Sequence, residues 1–261
     1  MNGLMLHCGG HNATTEEVFA APLPQATPTH TPVAHQFVVE SVLELLADNG
    51  FTVNEQAHAL SHEGMRYFGL FNVGNNRDDF SQVVGVRNSN DKKFPVGLTM
   101  GSRVFVCDNL AFSGEVTLKR KHTSGIFNDI RSKMIDTISQ LHDFFSNQEQ
   151  RFDVYKNHFL TDKDAAELIF RACKYGAIPK SKLMDVYTEY LNPSHEEFAD
   201  SNMWSLYNAF TEIHKQRPTL DELSKKTRRM QALFDSIVNF QSAFQEMEDN
   251  SETYEIEIVT Q

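Results

Sequence analysis

The chain is poor in cysteine, in tryptophan and in long hydrophobic runs. Its 261 residues include one tryptophan and three cysteines, Cys8, Cys107 and Cys173, which are far apart and form no Cys-x-x-Cys pair. An odd number of scattered cysteines indicates reduced thiols and a cytoplasmic protein rather than a secreted disulfide framework. No run approaches about eighteen apolar residues, and no charged segment precedes a long apolar core at the N-terminus. We therefore expect neither a membrane-spanning helix nor a secretory signal.

Several motifs of common enzyme classes are also missing. The sequence has no G-x-x-x-x-G-K-[S/T], G-x-G-x-x-G, H-E-x-x-H or G-x-S-x-G, which argues against a P-loop ATPase, a dinucleotide enzyme, a zincin and an α/β-hydrolase. His7, Cys8 and His11, with His30 and His35, could supply nitrogen and sulfur ligands to zinc, but their spacing matches no standard structural site. We expect no metal and no cofactor, and the sequence favours a binding protein over an enzyme.

The hydrophobic pattern changes once, near Gly125. From residue 51 to residue 119, short runs rich in Val, Phe and Tyr alternate with turns rich in Asn and Gly, which is typical of an antiparallel meander. From Ile126 onward, apolar residues recur at helical spacing. The sequence therefore predicts an α+β fold, with an antiparallel β-meander followed by a mainly helical C-terminal half. The predicted strands are Phe51–Val53, Met65–Val73, Phe80–Val86, Phe94–Thr99, Arg103–Val106 and Glu115–Lys119.

Four regions follow from these patterns. Residues 1–36 form a Pro-rich N-terminal strap, because four prolines between residues 20 and 35 exclude a continuous helix. Residues 37–125 form the α+β sheet domain that carries the predicted site, and residues 126–249 form a helical region. Residues 250–261 form an acidic flexible tail.

Positive charge is concentrated in one part of an acidic chain. Residues 87–133 contain nine lysines and arginines against four aspartates and glutamates, a local charge of +5, whereas the whole chain carries −11. Everything outside this window therefore sums to −16. A local basic surface on an acidic body is suited to a polyanion or an acidic partner.

The candidate binding residues lie at predicted turns and strand ends inside this window. A meander brings such ends together, where Arg and Lys bind phosphate or carboxylate and Asn supplies a neutral donor and acceptor. We expect them to converge, with Asp108, in one surface concavity; the alternative is that Asn and Asp only form the turns while the cations are solvated. The predicted nucleic-acid-binding residues are Arg87, Asn88, Asp91, Lys92, Lys93, Asn109, Lys119, Arg120, Lys121 and His122.

Two segments of the window resemble a known family. Gly85–Asp91 resembles the G-x-R-N-S-H-D turn of phage/plasmid-like proteins grouped as a domain of unknown function, and Arg103–Leu110 is similar to their R-V-x-C-x-N strand. Lys121-His122-Thr123 extends the resemblance, which covers residues 60–125 and is looser through the segment Trp204–Glu212. The chain departs from the pattern at Asn90, where His is expected. The resemblance implies a mobile-element origin and assigns no activity.

The first functional hypothesis is a nucleic-acid-handling protein that binds or anneals single-stranded DNA. A meander followed by a long helix is also the order found in strand-annealing proteins of recombination, although this is an analogy of fold alone. A second hypothesis is an anti-defence or regulatory protein that binds another protein through its acidic remainder. A third is an enzyme that depends on a metal or on Cys107, with His122 as base. We expect no membrane partner, and homo-oligomerisation stays open.

Overall fold

The sheet forms the N-terminal half of the protein. The computed structural model describes residues 10–73, 80–104, 109–214 and 220–241. Within these residues each strand pairs antiparallel with the next, in the spatial order β1-β2-β3-β4-β5-β6. The predicted meander is confirmed. Its strands are β1 (His11–Ala13), β2 (Val53–Ser61), β3 (Arg66–Val73), β4 (Phe80–Ser89), β5 (Val96–Val104) and β6 (Asn109–Arg120).

Helices cover the sheet and make up the rest of the chain. Two precede the meander, α1 (Thr15–Phe19) and α2 (His35–Asp48). After β6 the described chain is mainly helical, which confirms the predicted α+β class. In the part of the chain that the structure describes, no helix is long and apolar enough to cross a membrane. The later helices are α3 (Ile126–Ile138), α4 (Leu141–Asn157), α5 (Asp162–Lys174), α6 (Leu183–Leu191), α7 (Met203–His214) and α8 (Leu220–Val238), with 3-10 turns at Lys180–Lys182 and Glu196–Phe198.

Four strands are longer than the hydrophobic pattern indicates: β4 continues to Ser89, β6 begins at Asn109, and β2 and β5 also exceed the predicted runs. β2 continues to Ser61, although its first half is polar and exposed from Asn54 to Gln56, so no alternation marks it as a strand. β5 joins two predicted strands into one, because the register with β6 shifts between Thr99 and Gly101. An irregular pairing of this kind interrupts the period of two, and the strand is then read as two pieces.

One core lies between a face of the sheet and four helices, with Val18 as the buried residue of α1. Side chains from the central strands, such as Phe71, Val84 and Leu98, alternate with residues of the other face and are fully buried. They pack against α2, α3 and the first half of α4, in a cluster that we call the sheet core. The contribution of these three helices includes Val38, Val42, Leu46, Ile126, Ile130, Met134, Ile138, Leu141, Phe144 and Phe145.

A second core lies among the later helices. Aromatic residues of α4 and α7 meet at its centre, where Phe152 lies 4.7 Å from Trp204 and 5.4 Å from Tyr207 between ring centroids. We call this cluster the helical core. It contains a buried ion pair, in which Arg151 Nη2 lies 3.1 Å from Asp235 Oδ2. Tyr155 donates a 2.6 Å hydrogen bond to the same carboxylate.

A segment without regular structure links α1 to α2 and crosses the end of the sheet. From here on, the strap means residues 27–34 with the first residue of α2, a part of the Pro-rich segment predicted over residues 1–36. Val33 is fully buried, and the Thr31 N–H donates to the carbonyl of His122 over 3.0 Å. The strap therefore binds the sheet mainly through polar groups, which brings it to the predicted site.

Candidate nucleic-acid interface

Strand register gathers cationic side chains at one end of the sheet. Arg87 of β4 pairs with Gly97 of β5, which in turn pairs with Lys119 of β6. Arg87 is half-buried and Lys119 is exposed, and both lie on the face opposite the sheet core. The β4–β5 turn and the residue after β6 add exposed cations at the same end. We call this surface the basic end; it consists of Arg87, Lys92, Lys93, Lys119 and Lys121.

Asp91 closes the β4–β5 turn. Its carboxylate accepts a hydrogen bond from the Ser89 hydroxyl and one of 3.3 Å from the Lys93 N–H, and Arg66 Nε lies 2.6 Å away. Partial burial opposes ionisation, but the bonds from Ser89 and Arg66 outweigh it and hold the pKa of Asp91 below its usual value. These contacts shape the turn and neutralise the aspartate, so the turn presents Lys92 and Lys93 outward.

Arg120 joins the end of β6 to α3. Its Nε lies 2.7 Å from Asp129 Oδ1, and its Nη1 donates to the Lys121 carbonyl over 2.6 Å and to the Thr123 hydroxyl over 2.9 Å. Its guanidinium is therefore occupied in holding the connection between strand and helix. Lys121, by contrast, is exposed beside it.

Asn88 lies on the opposite face from Arg87 and is fully buried under the strap. Its Nδ2 donates to the Val33 carbonyl over 2.7 Å and to His35 Nδ1 over 2.9 Å. His35 Nε2 lies 2.8 Å from the Gly64 carbonyl, and since a carbonyl only accepts, this nitrogen carries the proton. His35 is therefore neutral with a fixed tautomer, in agreement with a pKa that burial lowers. Asn88 thus binds the strap.

Asn90, the position where the family pattern has His, also binds the strap. Its Oδ1 accepts from the Val33 N–H over 3.0 Å, and its carbonyl accepts from His30 Nε2 over 3.2 Å. The His30 ring stacks on His122 with 5.3 Å between centroids. Two carboxamides and three imidazoles therefore form one buried network, in which Asn88 and Asn90 bind the carbonyl and the N–H of the same strap residue.

The network leaves several polar atoms without a protein partner. Among the described residues, Asn88 Oδ1, Asn90 Nδ2 and both ring nitrogens of His122 are buried and have no partner in hydrogen-bond geometry. Burial, with the nearby charge of His30, lowers the pKa of His122 to about 4, although the Thr31 backbone opposes part of this shift. His122 is therefore neutral near pH 7. Buried polar atoms of this kind are usually satisfied by ordered water.

The remaining predicted residues lie elsewhere. Asn109 begins β6 and pairs with Val104, at the opposite end of the sheet from Lys119. Register therefore separates Asn109 from the basic end by about ten residues of strand, roughly 30 Å. Asp108 and Cys107 lie outside the described residues, so their predicted convergence with His122 stays a prediction.

The histidines considered as zinc ligands are also dispersed. His7 and Cys8 lie outside the described residues, His11 is exposed on β1, and His30 and His35 belong to the strap network. Across residues 10–73, 80–104, 109–214 and 220–241, no group of three or more His, Cys, Asp or Glu side chains is arranged to hold a metal ion.

Sequence reasoning missed the strap contacts, although a signal was present. The motif Arg87-Asn88-Ser89-Asn90-Asp91 alternates along β4 and into the turn. A strand sends alternate side chains to opposite faces, so Arg87 and Asn88 cannot serve the same surface. The alternation therefore places Arg87 on one face of the sheet and the carboxamides of Asn88 and Asn90 on the other side of the motif.

The chain matches a family of unassigned function. No curated protein and no solved structure matches it. The model of the family described as "Domain of unknown function (DUF932)" matches residues 22–243, a range that includes the strap, the basic end, the helical core and most of the sheet core. The chain therefore belongs to the DUF932 family.

Proposed function

We propose that the protein binds single-stranded nucleic acid at the basic end of its sheet. One observation carries the proposal: strand register and the β4–β5 turn assemble five cationic side chains at one end of a protein of net charge −11. Binding of a phosphate backbone depends on the local field, which fades over a screening length of about 8 Å at physiological salt. An acidic remainder farther away does not cancel it.

Neutralisation of nearby acids supports the proposal. Asp91 and Asp129 are the carboxylates that follow the β4 and β6 ends most closely in sequence, and each lies within 2.7 Å of an arginine side chain, Arg66 or Arg120. Those two arginines therefore offset the local negative charge of Asp91 and Asp129.

The surface favours a single strand over a duplex. The cations lie on the face of a six-stranded sheet and its turn, whereas the elements that enter a major groove are a protruding helix or a two-stranded ribbon. Phe94 lies beside Arg87, and single-strand binding combines basic grooves with aromatic platforms. We also propose a mobile-element origin and a cytoplasmic location. The order of elements, which is similar to that of strand-annealing proteins, agrees with single-strand binding. The odd number and wide spacing of the cysteines support the cytoplasmic location.

The proposal is tested by fluorescence anisotropy with a labelled single-stranded oligonucleotide at several salt concentrations. The triple variant Lys92→Gln, Lys93→Gln and Lys121→Gln should bind more weakly with every sequence. Because each phosphate contact on a single strand contributes a slope of about 0.7 in the plot of log K against log salt, the slope should fall by about 2. Arg120 is left intact, because it holds α3 in place.

A matched control removes the same charge elsewhere. Lys163, Lys180 and Lys225 are exposed in the helical half, so their replacement by Gln changes the net charge equally. The control triple should keep the parent slope. If both triple variants lose the same affinity, the loss is an effect of net charge and not of the basic end. If the parent protein does not bind the oligonucleotide at low salt, the proposal is refuted.

A specific feature favours protein binding as the second candidate. The helical half exposes large apolar side chains: Phe159 is 71% exposed, Met184 68% and Phe170 58%. Phe and Met are enriched at protein contacts. If this region binds a second copy of the chain, Phe170→Ser with Met184→Ser should lower the association measured by sedimentation equilibrium. A parent that stays monomeric at high concentration would exclude self-association.

A further inference from the structure

The basic end contains a cation that lies over an aromatic ring. The guanidinium carbon of Arg87 lies 5.2 Å from the ring centroid of Phe94, and both side chains are half-buried. This distance is within the range of a cation–π contact. The contact places a planar guanidinium at the half-buried surface of the sheet.

Gly97 makes room for this arrangement. A Cβ at position 97 would lie 3.0 Å from Arg87 Nε and 3.1 Å from Arg87 Cγ. The Arg87 side chain therefore crosses the β5 backbone where a larger residue would place its own side chain. Lys119 of β6 lies beside Gly97 on the side away from Arg87. The Arg87 side chain therefore extends over Gly97 toward a second cation, which is exposed.

We infer that the Arg87–Phe94 pair is a stacking site for an unpaired nucleobase, with Lys119 binding the adjoining phosphate. This inference rests on the proposed function and adds the chemical group that the site takes. A guanidinium plane stacks on a base as an aromatic ring does, and stacking accepts any of the bases because all have a π-face. The backbones of Arg87 and Lys119 are about 10 Å apart, two strand spacings, so one nucleotide unit can lie between them.

Gly97 is then a positioning residue. It touches no nucleic acid in this arrangement, but it allows Arg87 to lie against Phe94. A Cβ at position 97 would crowd the Arg87 side chain and force it to shift, without changing any charge. If the site binds by stacking, a variant that moves Arg87 should bind bases more weakly. If it binds by charge alone, the same variant should bind as the parent does.

The experiment compares two probes of equal length and charge, an oligothymidylate and an abasic single strand, by anisotropy with the full chain. The parent should bind oligothymidylate more tightly than the abasic strand. Arg87→Lys keeps the charge and loses the plane, so it should lower the affinity for oligothymidylate by about 5- to 100-fold, the range of one lost base stack. Its affinity for the abasic strand should fall much less than its affinity for oligothymidylate, because the charge at position 87 is kept.

Gly97→Ala should reproduce the loss seen with Arg87→Lys while keeping every charge. Thermal melting checks that it folds, and if it does not, Arg87→Lys decides alone. Equal binding of both probes by the parent, or an Arg87→Lys variant that matches the parent on oligothymidylate, would overturn the stacking site and leave single-strand binding intact. A parent that binds neither probe would overturn the proposed function and the stacking site with it.

Discussion

Replacing Asn88 by Ala should destabilise the protein without affecting nucleic-acid binding. The side chain is fully buried, and its Nδ2 donates to the Val33 carbonyl over 2.7 Å and to His35 Nδ1 over 2.9 Å. Ala leaves both acceptors buried without that donor. An unsatisfied buried group costs about 1–3 kcal/mol, so the free energy of unfolding should fall by about 2–4 kcal/mol. For a chain of this size that is a decrease of roughly 5–15 °C in Tm.

Urea unfolding at pH 7 measures this change, with the m-value as a check that the unfolding transition keeps its size. Asn128→Ala, at an exposed position of α3, is the matched control and should stay within about 0.5 kcal/mol of the parent. Anisotropy at 15 °C, where both variants are folded, completes the test. A melting temperature equal to that of the parent would refute the strap contact. A folded Asn88→Ala protein with weakened binding would instead place Asn88 in the interface.

Three further predictions concern stability. Asp235→Ala leaves Arg151 buried without its carboxylate and should cost about 3–5 kcal/mol in urea unfolding, whereas a variant with apolar residues at both positions should recover most of this loss. Burial lowers the pKa of His122 and of His214 to about 4, below the ordinary value of 6.5, so the unfolded chain binds more protons than the native one. Stability should therefore be fully present above about pH 6.5 and decline as the pH falls toward 4, which urea titrations at pH 7, 5.5 and 4.5 would detect; a flat profile would contradict neutral buried histidines. Thr161→Ala removes a capping box at the start of α5 and should cost about 1 kcal/mol, measured by thermal melting against the exposed control Ser181→Ala.

The sheet and the basic end follow from local patterns, and for that reason the sequence predicts them. Runs of Val and Phe bounded by Asn and Gly mark the strands, and Lys92, Lys93 and Lys121 are exposed because charged side chains stay in water unless a partner compensates them. The alternation along β4 separates Asn88 from Arg87, but the group that Asn88 binds does not follow from local pattern. Its partner Val33 is 55 positions away in the sequence, and nothing near Asn88 indicates that a Pro-rich segment will cover it.

The distinction between Arg120 and Lys121 is of the same kind. Both are cations at the end of β6, but only the fold shows that Asp129 lies 2.7 Å from Arg120. Sequence identifies which residue types are concentrated in a region, whereas the tertiary contacts decide which of them remain available to a ligand. The strap histidines show the same effect. His30 and His35 have the chemistry of metal ligands, but in the fold they donate to backbone carbonyls.

Helix α4 has a consequence for any attempt to divide the protein. Its first turns, with Leu141 and Phe145, pack into the sheet core, and its last turns, with Phe152 and Tyr155, pack into the helical core. A fragment that stops before α4 would lack Leu141 and Phe145, which are part of the sheet core. A fragment that begins after α4 would lack Phe152 and Tyr155, which are part of the helical core. Shuffling of segments between related genes should therefore favour crossover points outside residues 141–157, because a break within them would damage two hydrophobic interiors with one junction.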